Sequence, residues 1–242
     1  MQSLSIDERI LSIDIGGSRI KATILDRDGT MMMDFQKIAT PASPDPGNVI
    51  QAILELTRSF QEYHYVSVGF PGYTRKGIIH TAPNLGTPKW TGVNLCKLLS
   101  DVWNKPVRVL NDADMQGLGV VRGEGLEMVI TLGTGFGTAL FLDGSLLPHL
   151  EVAHHPVSKH GTYDQYIGNK ALAEIGLEKW NKRLNKIIGI LSTVFNYDHL
   201  YIGGGNSKKI DFKIDDNISL VSNLDGIKGG AKVWQREMYY AV

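Results

Sequence analysis

The sequence has one cysteine, Cys96, in 242 residues. No intrachain disulfide can form and no cysteine zinc cluster can be built, so no structural zinc is expected and the setting suggested is cytoplasmic. Surplus charge is missing as well: Lys+Arg and Asp+Glu are both 25. A general nucleic-acid binder carries a basic excess, so nucleic acid is not an expected partner. No apolar run reaches the ~18 residues of a membrane span. The opening Met-Gln-Ser-Leu-Ser-Ile-Asp-Glu-Arg has neither the basic start nor the apolar stretch of a signal peptide. What remains is an ordinary globular balance, 43% hydrophobic and 21% charged. At ~150 residues per domain the chain holds one to two domains, with a core that needs no metal or disulfide.

Glycine is in excess. There are 27, where an average share of ~7% would give about 17. They fall at strand ends. Ile10–Ile15 reads as a strand broken by Gly16-Gly17, and Ile20–Leu25 as the next. Asp26-Arg27-Asp28-Gly29 is a hairpin signal. Met31–Ile38 is predicted as a third strand. The proline-rich segment 40–47 is predicted as a loop, followed by a helix through Val49, Ile53, Leu56 and Phe60 with Asn48 as N-cap. Tyr65–Phe70 is a buried strand ending in Pro71-Gly72, Leu95–Val102 a helix, and Val107–Leu110 a strand that delivers Asn111-Asp112-Ala113-Asp114 at its C-terminal end.

The second half repeats the plan. A shift of 117 positions lays Gly16 on Gly133, Ala22 on Ala139, Leu25 on Leu142 and Asp26 on Asp143. Met128–Leu132 and Thr138–Leu142 are strands about the turn 133–137. Trp180 to Val194 has helical spacing, Leu200–Ile202 is a short strand, and a last helix is predicted from about Gly229 to Tyr240. Together these suggest two βββαβα halves with a cleft between them, lobes at 1–110 and 111–242, the last helix returning to the first lobe. Two ordinary hairpins sharing common turn residues are the plainer alternative.

Three glycine turns then stand out. Asp14-Ile15-Gly16-Gly17-Ser18 sets a carboxylate beside a turn without side chains, where backbone N–H groups can approach phosphate oxygens and Asp14 can hold a hydrated Mg²⁺. Ser18 and Lys21 add a hydroxyl and a cation. Gly133-Thr134-Gly135 and Gly203-Gly204-Gly205 are turns of the same kind. None fits the Gly-x4-Gly-Lys-Ser/Thr pattern of a P-loop. Phe136 disfavours a helix directly after the second turn, and with it a dinucleotide fingerprint.

Asp-Ile-Gly-Gly-Ser, Asn-Asp-Ala-Asp, Leu-Gly-Thr-Gly-Phe-Gly and Ile-Gly-Gly-Gly, in this order and at these distances, resemble the ROK sugar kinases from about Ile10 to Trp234. The short length and the stretch Val129 to Ala139 look most like the polyphosphate/ATP glucokinase branch. The resemblance implies an α/β, actin-like ATPase fold of duplicated ribonuclease-H-like lobes. It further implies transfer of a phosphoryl group from ATP or polyphosphate to the 6-hydroxyl of a hexose, glucose in the first place, with Mg²⁺ and a homodimeric state. By the same resemblance Asp112 is the base for the sugar hydroxyl, the plain alternative being a cap for the helix that follows. Gly72, Asn84 and Asn111 match sugar-binding positions, and either asparagine could instead make an Asx turn.

Glu151-Val152-Ala153-His154 corresponds to the family's Glu-x-Gly-His, placing Glu151 and His154 on sugar hydroxyls, with Ala153 in place of a glycine. If that backbone needs a positive φ, alanine costs roughly 1 kcal/mol. Asp164, or Tyr163, lies near the position of a further sugar-binding glutamate. The donor side takes Asp14, Gly16, Gly17, Ser18, Lys21, Thr131, Gly133, Thr134, Gly135, Gly203, Gly204 and Gly205. His149, His154, His155 and His160 form a local cluster in which metal binding is disfavoured. Trp180 and Trp234 read as core, while Trp90 either supports its loop or stacks on the sugar.

Other classes are compatible with parts of this pattern. A sugar-sensing ROK regulator is one, although only nine residues precede the first strand, too few for a helix-turn-helix. A sugar-binding protein without catalysis is another, against which the presence of both Asp14 and Asp112 argues. An acetate-kinase-like or chaperone-like ATPase is a third, disfavoured by Asn-Asp together with Glu-x-x-His.

Overall fold

The computed structural model describes residues 8–159 and 161–235. It comprises two compact units, one running to Gly119 and resuming at Leu224, the other Val120–Asn223.

The first unit is built on β1 (Ile10–Ile15), β2 (Arg19–Leu25), β3 (Gln36–Ala39), β4 (Tyr65–Phe70) and β7 (Val107–Asn111), in the sheet order β3-β2-β1-β4-β7. β1, β2 and β3 are antiparallel neighbours, whereas β4 and β7 run parallel to β1. Helices α1 (Pro46–Thr57) and α3 (Leu95–Trp103) make the crossovers, with a hairpin β5 (Thr74–Arg75) and β6 (Ile78–Ile79) and the short α2 (Thr87–Trp90) between β4 and α3. Helix α4 (Asp112–Val120) follows β7. Leu11, Ile13, Ile15, Ile20, Val66, Val68 and Phe70 bury against Val49, Ile53 and Leu56 of α1 and Leu95 and Leu99 of α3. Full burial of one such side chain contributes about 1.5–3 kcal/mol.

The opposite face of this sheet is polar, and the returning chain covers part of it. The Ser67 hydroxyl donates to the Gly230 carbonyl (2.6 Å) and accepts from Trp234 Nε1 (2.9 Å). Arg108 donates to the Val233 carbonyl and lies over the Trp234 ring, 4.5 Å from its centroid. The returning segment holds α8 (Asn223–Ile227) and α9 (Gly229–Lys232), so the expected last helix is shorter than predicted, and its stretch 236–240 lies outside the described residues.

The second unit has β8 (Leu126–Leu132), β9 (Phe136–Leu142), β10 (Ser145–Leu146), β13 (His199–Gly203) and β14 (Ile218–Leu220), ordered β10-β9-β8-β13-β14. Between β10 and β13 come the hairpin β11 (Pro156–Ser158) and β12 (Gly161–Thr162) and helices α5 (Tyr163–Ile167), α6 (Asn169–Ile175) and α7 (Leu177–Phe195). Met128, Ile130, Leu132, Leu200 and Ile202 pack on Trp180, Leu184, Ile187 and Leu191 of α7. Both sheets share one order and one set of strand directions, the duplicated ribonuclease-H-like arrangement that the 117-residue repeat suggests. The repeat holds at the level of elements, with the antiparallel register offset by one residue: Asp14 pairs with Lys21 and Gly69, whereas Thr131, 117 positions on, pairs with Gly137 and Gly203.

Several local expectations are corrected. Residues 31–35 leave the ladder after a single bridge, Leu25 to Met31, and only Gln36–Ala39 form the third strand. The Thr23 hydroxyl takes the Met33 carbonyl instead. Asp45, not Asn48, caps α1: its carboxylate accepts the Asn48 N–H, with Pro46 at the first helical position. Trp90 is a core residue, fully buried, 4.8 Å from the Phe70 ring and donating to the Pro44 carbonyl (2.8 Å). Trp180 is likewise buried. Asp112 and α4, expected in the second lobe, fall in the first unit. The cause is close packing: a Cβ at Gly119 would lie 2.5 Å from the Asp225 carbonyl oxygen, and one at Gly69 would lie 2.9 Å from Met115 Cε. No described helix is long and apolar enough to cross a membrane.

Candidate active site

In the first unit the site is assembled at the C-terminal ends of the parallel strands. Asp14 stands one residue before the end of β1, and Lys21 Nζ donates to its Oδ2 at 3.1 Å. Directly paired residues share a sheet face, so Lys21, Asp14 and the side-chain position of Gly69 project together. A Cβ on Gly69 would lie 3.4 Å from Asp112 Cα and 3.7 Å from its Cβ. The missing side chain of Gly69 therefore brings Asp112 onto the same polar face as Asp14. A glycine inside a buried strand signals such an approach; Gly69 sits in Val-Gly-Phe and was the readable sign of it.

Asn111 is buried and spoken for. Its Oδ1 accepts the N–H groups of Ala113 (2.8 Å) and Asp114 (3.2 Å), and its Nδ2 donates to the Gly72 carbonyl (3.1 Å). Asn111 is thus the N-cap of α4 and the tie that holds the Gly72 turn. Capping is the role first weighed for Asp112, whose Oδ1 also accepts from Ala113 N–H at 2.8 Å. A carboxylate in the first turn of a helix interacts favourably with the helix dipole, and Asp112 stands in that position. Asp114, by contrast, is buried.

The turn at Gly16-Gly17 is tight. Gly16 N–H donates to the Arg19 carbonyl (2.9 Å), and the Thr40 hydroxyl donates to the Gly16 carbonyl (2.7 Å). A Cβ on Gly17 would lie 3.1 Å from Asn84 Cβ, so the structure sets the exposed Asn84 beside the phosphate-type turn. Ser18 is exposed in the same turn.

In the second unit the other two glycine turns adjoin. A Cβ on Gly204, at φ +86°, would lie 2.4 Å from the Leu132 carbonyl oxygen. Asn206 N–H donates to that carbonyl, and Asn206 Nδ2 donates to Asn169 Oδ1 (2.7 Å). Asn169 N–H in turn donates to the Gly133 carbonyl (3.1 Å). Asn169 and Asn206 therefore brace Gly133, Thr134 and Gly203–Gly205; Asn169 carries no signal of this in the sequence. Phe136 starts β9, in line with its disfavouring a helix there.

Asp164 closes the turn. Its Oδ1 accepts Phe136 N–H at 2.6 Å, and a Cβ on Gly135 would lie at the same distance from that oxygen. Glu151 lies 3.8 Å from His154 Nε2 and 3.7 Å from His149 Nε2. Burial pushes the Asp164 carboxyl up; the Phe136 N–H and His154 oppose that, and Glu151 adds to it. Three residues singled out by resemblance, Glu151, His154 and Asp164, are thus close enough to feel one another's charge. Ala153 lies in a 3-10 turn and is not among the positive-φ residues, so the exchange from glycine introduces no backbone strain.

A prediction follows from Asp164. Its folded pKa lies above the ordinary 3.8, so its contribution to stability is present at low pH and is lost as pH rises through the raised value. Asp164→Asn removes that loss. The melting temperature of the variant should exceed the parent's by about 1–4 °C at neutral pH and match it near pH 3. Melting curves across that range check it; a variant less stable at pH 7 than at pH 3, relative to the parent, rules it out.

Among the described residues no group of three or more His, Cys, Asp or Glu could hold a metal by itself; His160 lies outside them. A lone carboxylate such as Asp14 suits Mg²⁺, which keeps several waters and takes further oxygens from phosphate.

A model of the ROK family matches residues 10–161. The chain is 32% identical over 212 residues to the polyphosphate glucokinase of Mycobacterium leprae, with 84% of this chain and 65% of that one aligned. It is 31% identical over 208 residues to the polyphosphate glucokinase of Mycobacterium tuberculosis H37Rv, covering 82% and 78%. Among solved structures, the inorganic polyphosphate/ATP-glucomannokinase of Arthrobacter sp. strain KM superposes with a TM-score of 0.85 at 28% identity, over 95% of this chain and all of that one. A glucokinase from Streptomyces griseus in complex with glucose and AMPPNP shares the fold, with a TM-score of 0.78 at 19% identity over 93% and 98%.

Proposed function

The chain belongs to the ROK family, and on that footing we propose that it is a hexose kinase transferring a phosphoryl group from ATP or polyphosphate to the 6-hydroxyl of glucose. The observation that carries the reading is the placement of Asp112: its carboxylate leaves a helix N-terminus on the polar sheet face that also bears Asp14. Phosphoryl transfer asks little covalent chemistry of a protein and much positioning. Asp112 accepts the proton of the attacking hydroxyl, which raises the nucleophilicity of that oxygen as the bond to phosphorus forms. Asn111 fixes the direction of Asp112 and touches no reacting atom. The backbone N–H groups of Gly16–Ser18 and the Lys21 ammonium neutralise phosphate oxygens, while Asn84, Glu151, His154 and Asp164 take sugar hydroxyls. Thr131, Gly133–Gly135 and Gly203–Gly205 form the nucleotide side. Bound Mg²⁺ supplies charge neutralisation on the phosphate oxygens, held at Asp14. A cytoplasmic homodimer completes the proposal.

A coupled assay of glucose with ATP and, separately, with polyphosphate tests the activity; turnover with neither donor overturns it. The metal arrangement has its own test. ATP or polyphosphate should raise the melting temperature by a few degrees with Mg²⁺ present and by under one degree in excess chelator, since ligand binding stabilises by RT ln(1 + [L]/Kd). Equal protection in chelator removes Asp14 from the scheme.

A further inference from the structure

The strand register shows a row of cations beyond the glycine turn that the sequence does not reveal. Lys37 on β3 pairs directly with Lys21 on β2, and Lys21 pairs directly with Asp14 on β1. All three project from the same face, the one that carries the Gly69 position and Asp112. Arg19, two residues before Lys21, shares this face and stands next to the glycine turn. Directly opposed side chains on adjacent strands have Cβ atoms about 5 Å apart. Positions two apart along a strand are about 7 Å apart. Arg19, Lys21 and Lys37 are thus three ammonium or guanidinium groups stepping from the turn to the edge of the sheet.

Two further observations single out this row. Like charges opposed across a ladder are destabilising, yet Lys21 and Lys37 are so opposed; Asp14 relieves Lys21. Among the described residues the exposed side chains of Arg19 and Lys37 make no hydrogen bond or ion pair. The row is also tied to the turn: Thr40, next after β3, donates through its N–H to the Ser18 carbonyl (3.1 Å) and through its hydroxyl to Gly16. Other lysines and arginines that follow or neighbour turns in the sequence are not part of this row. Arg75 and Lys76 are at the β5–β6 hairpin, and Lys159, Lys208 and Lys209 are in the second unit.

We propose that Arg19, Lys21 and Lys37 form a lane for a linear polyanion, holding phosphates of a polyphosphate donor beyond the one that is transferred. The lane rests on the kinase reading for the location of that transferred phosphate. It distinguishes donors by length: ATP ends at its nucleoside, whereas polyphosphate continues along the cations to the sheet edge. Lys37, furthest from Asp14, meets only a long donor.

The experiment compares the parent with Lys37→Glu and Lys37→Gln, both at an exposed edge position where the fold tolerates change. Direct binding of long-chain polyphosphate and of tripolyphosphate is measured without sugar over a range of salt, and KM is measured for polyphosphate and for ATP with glucose. The lane predicts that Lys37→Glu weakens long-chain binding roughly five- to tenfold and Lys37→Gln two- to threefold. It predicts a shallower salt dependence, because fewer counterions are released, and KM for ATP within twofold of the parent. Failure of the parent to bind polyphosphate overturns the lane, as do equal losses for long and short chains or no loss at all. Absence of glucose phosphorylation with either donor refutes the kinase reading alone, and the binding measurements still decide the lane.

Discussion

Replacing Asp112 with asparagine is expected to lower the turnover of glucose phosphorylation by about 10²–10⁴-fold, the usual contribution of a positioned base, with glucose affinity within a few-fold of the parent. Asparagine keeps the size and an acceptor oxygen, so the bond from Ala113 N–H survives. It cannot take a proton. The competing role is structural, and the structure has already filled it: the cap of α4 is Asn111, which accepts from both Ala113 and Asp114. Stability should therefore change by under about 1 kcal/mol, since asparagine is as acceptable as aspartate at a helix start. The paired control is Asn111→Ala. That change removes the Asn111 bonds to the Gly72 carbonyl and the Asp114 N–H, while the Ala113 N–H keeps Asp112 as its acceptor. It should cost about 1–3 kcal/mol together with activity, because Asp112 loses its direction. A drop of less than tenfold for Asp112→Asn, with folding intact, removes Asp112 from the chemistry.

The duplication was readable because it rests on local signals: hairpin turns at Asp26–Gly29 and Asp143-Gly144, and glycine breaks at Gly16 and Gly133. These involve near neighbours, and both glycine breaks survive as turns between antiparallel strands, β1–β2 and β8–β9, although the second ladder is offset by one residue from the first. What the sequence concealed is non-local. That α4 belongs to the first unit depends on Gly119, Gly229 and Met115 meeting across more than a hundred residues, a packing fact with no periodicity to announce it. The third strand was overextended because three methionines in a row look apolar, yet its ladder depends on Ile20 and Ala22 being opposite Ile38 and Gln36. Asn84, Asn111 and Asp164 could be named from short motifs, but not their different work. One stands exposed beside the phosphate-type turn, one is consumed in holding Gly72, and one closes the Gly133–Gly135 turn. Side-chain amides and carboxylates read alike in a sequence; the partners that separate them come from distant strands. Lys37 escaped notice for the same reason, because its relation to Asp14 runs through two strand pairings.

Gly72→Ala should destabilise the protein in the absence of any ligand, lowering the melting temperature by between about 2 and 10 °C. A Cβ built on Gly72 would lie 2.1 Å from the Thr81 carbonyl oxygen and 3.2 Å from Ala82 Cα. Both neighbours belong to backbone, so no flexible side chain can swing aside. Overpacking of this kind costs about 1–3 kcal/mol, and each kcal/mol shifts the melting point of a chain this size by about 2–4 °C. The glycine was expected here because a sugar passes close to it. The structure supplies a reason that holds with no sugar present: the turn after β4 presses on the 81–82 backbone, and Asn111 grips its carbonyl from below. Moving the turn to admit a methyl group pulls on Asn111 and so on Asp112, and turnover should fall roughly tenfold or more even with saturating glucose. Close approach of sugar alone makes the opposite forecast, an unchanged melting point and a raised KM with turnover preserved. Thermal melts without ligand, set beside kcat and KM for the same preparation, separate the two. An alanine variant that melts with the parent shows that the Thr81 contact yields freely and that Gly72 is kept small for the ligand.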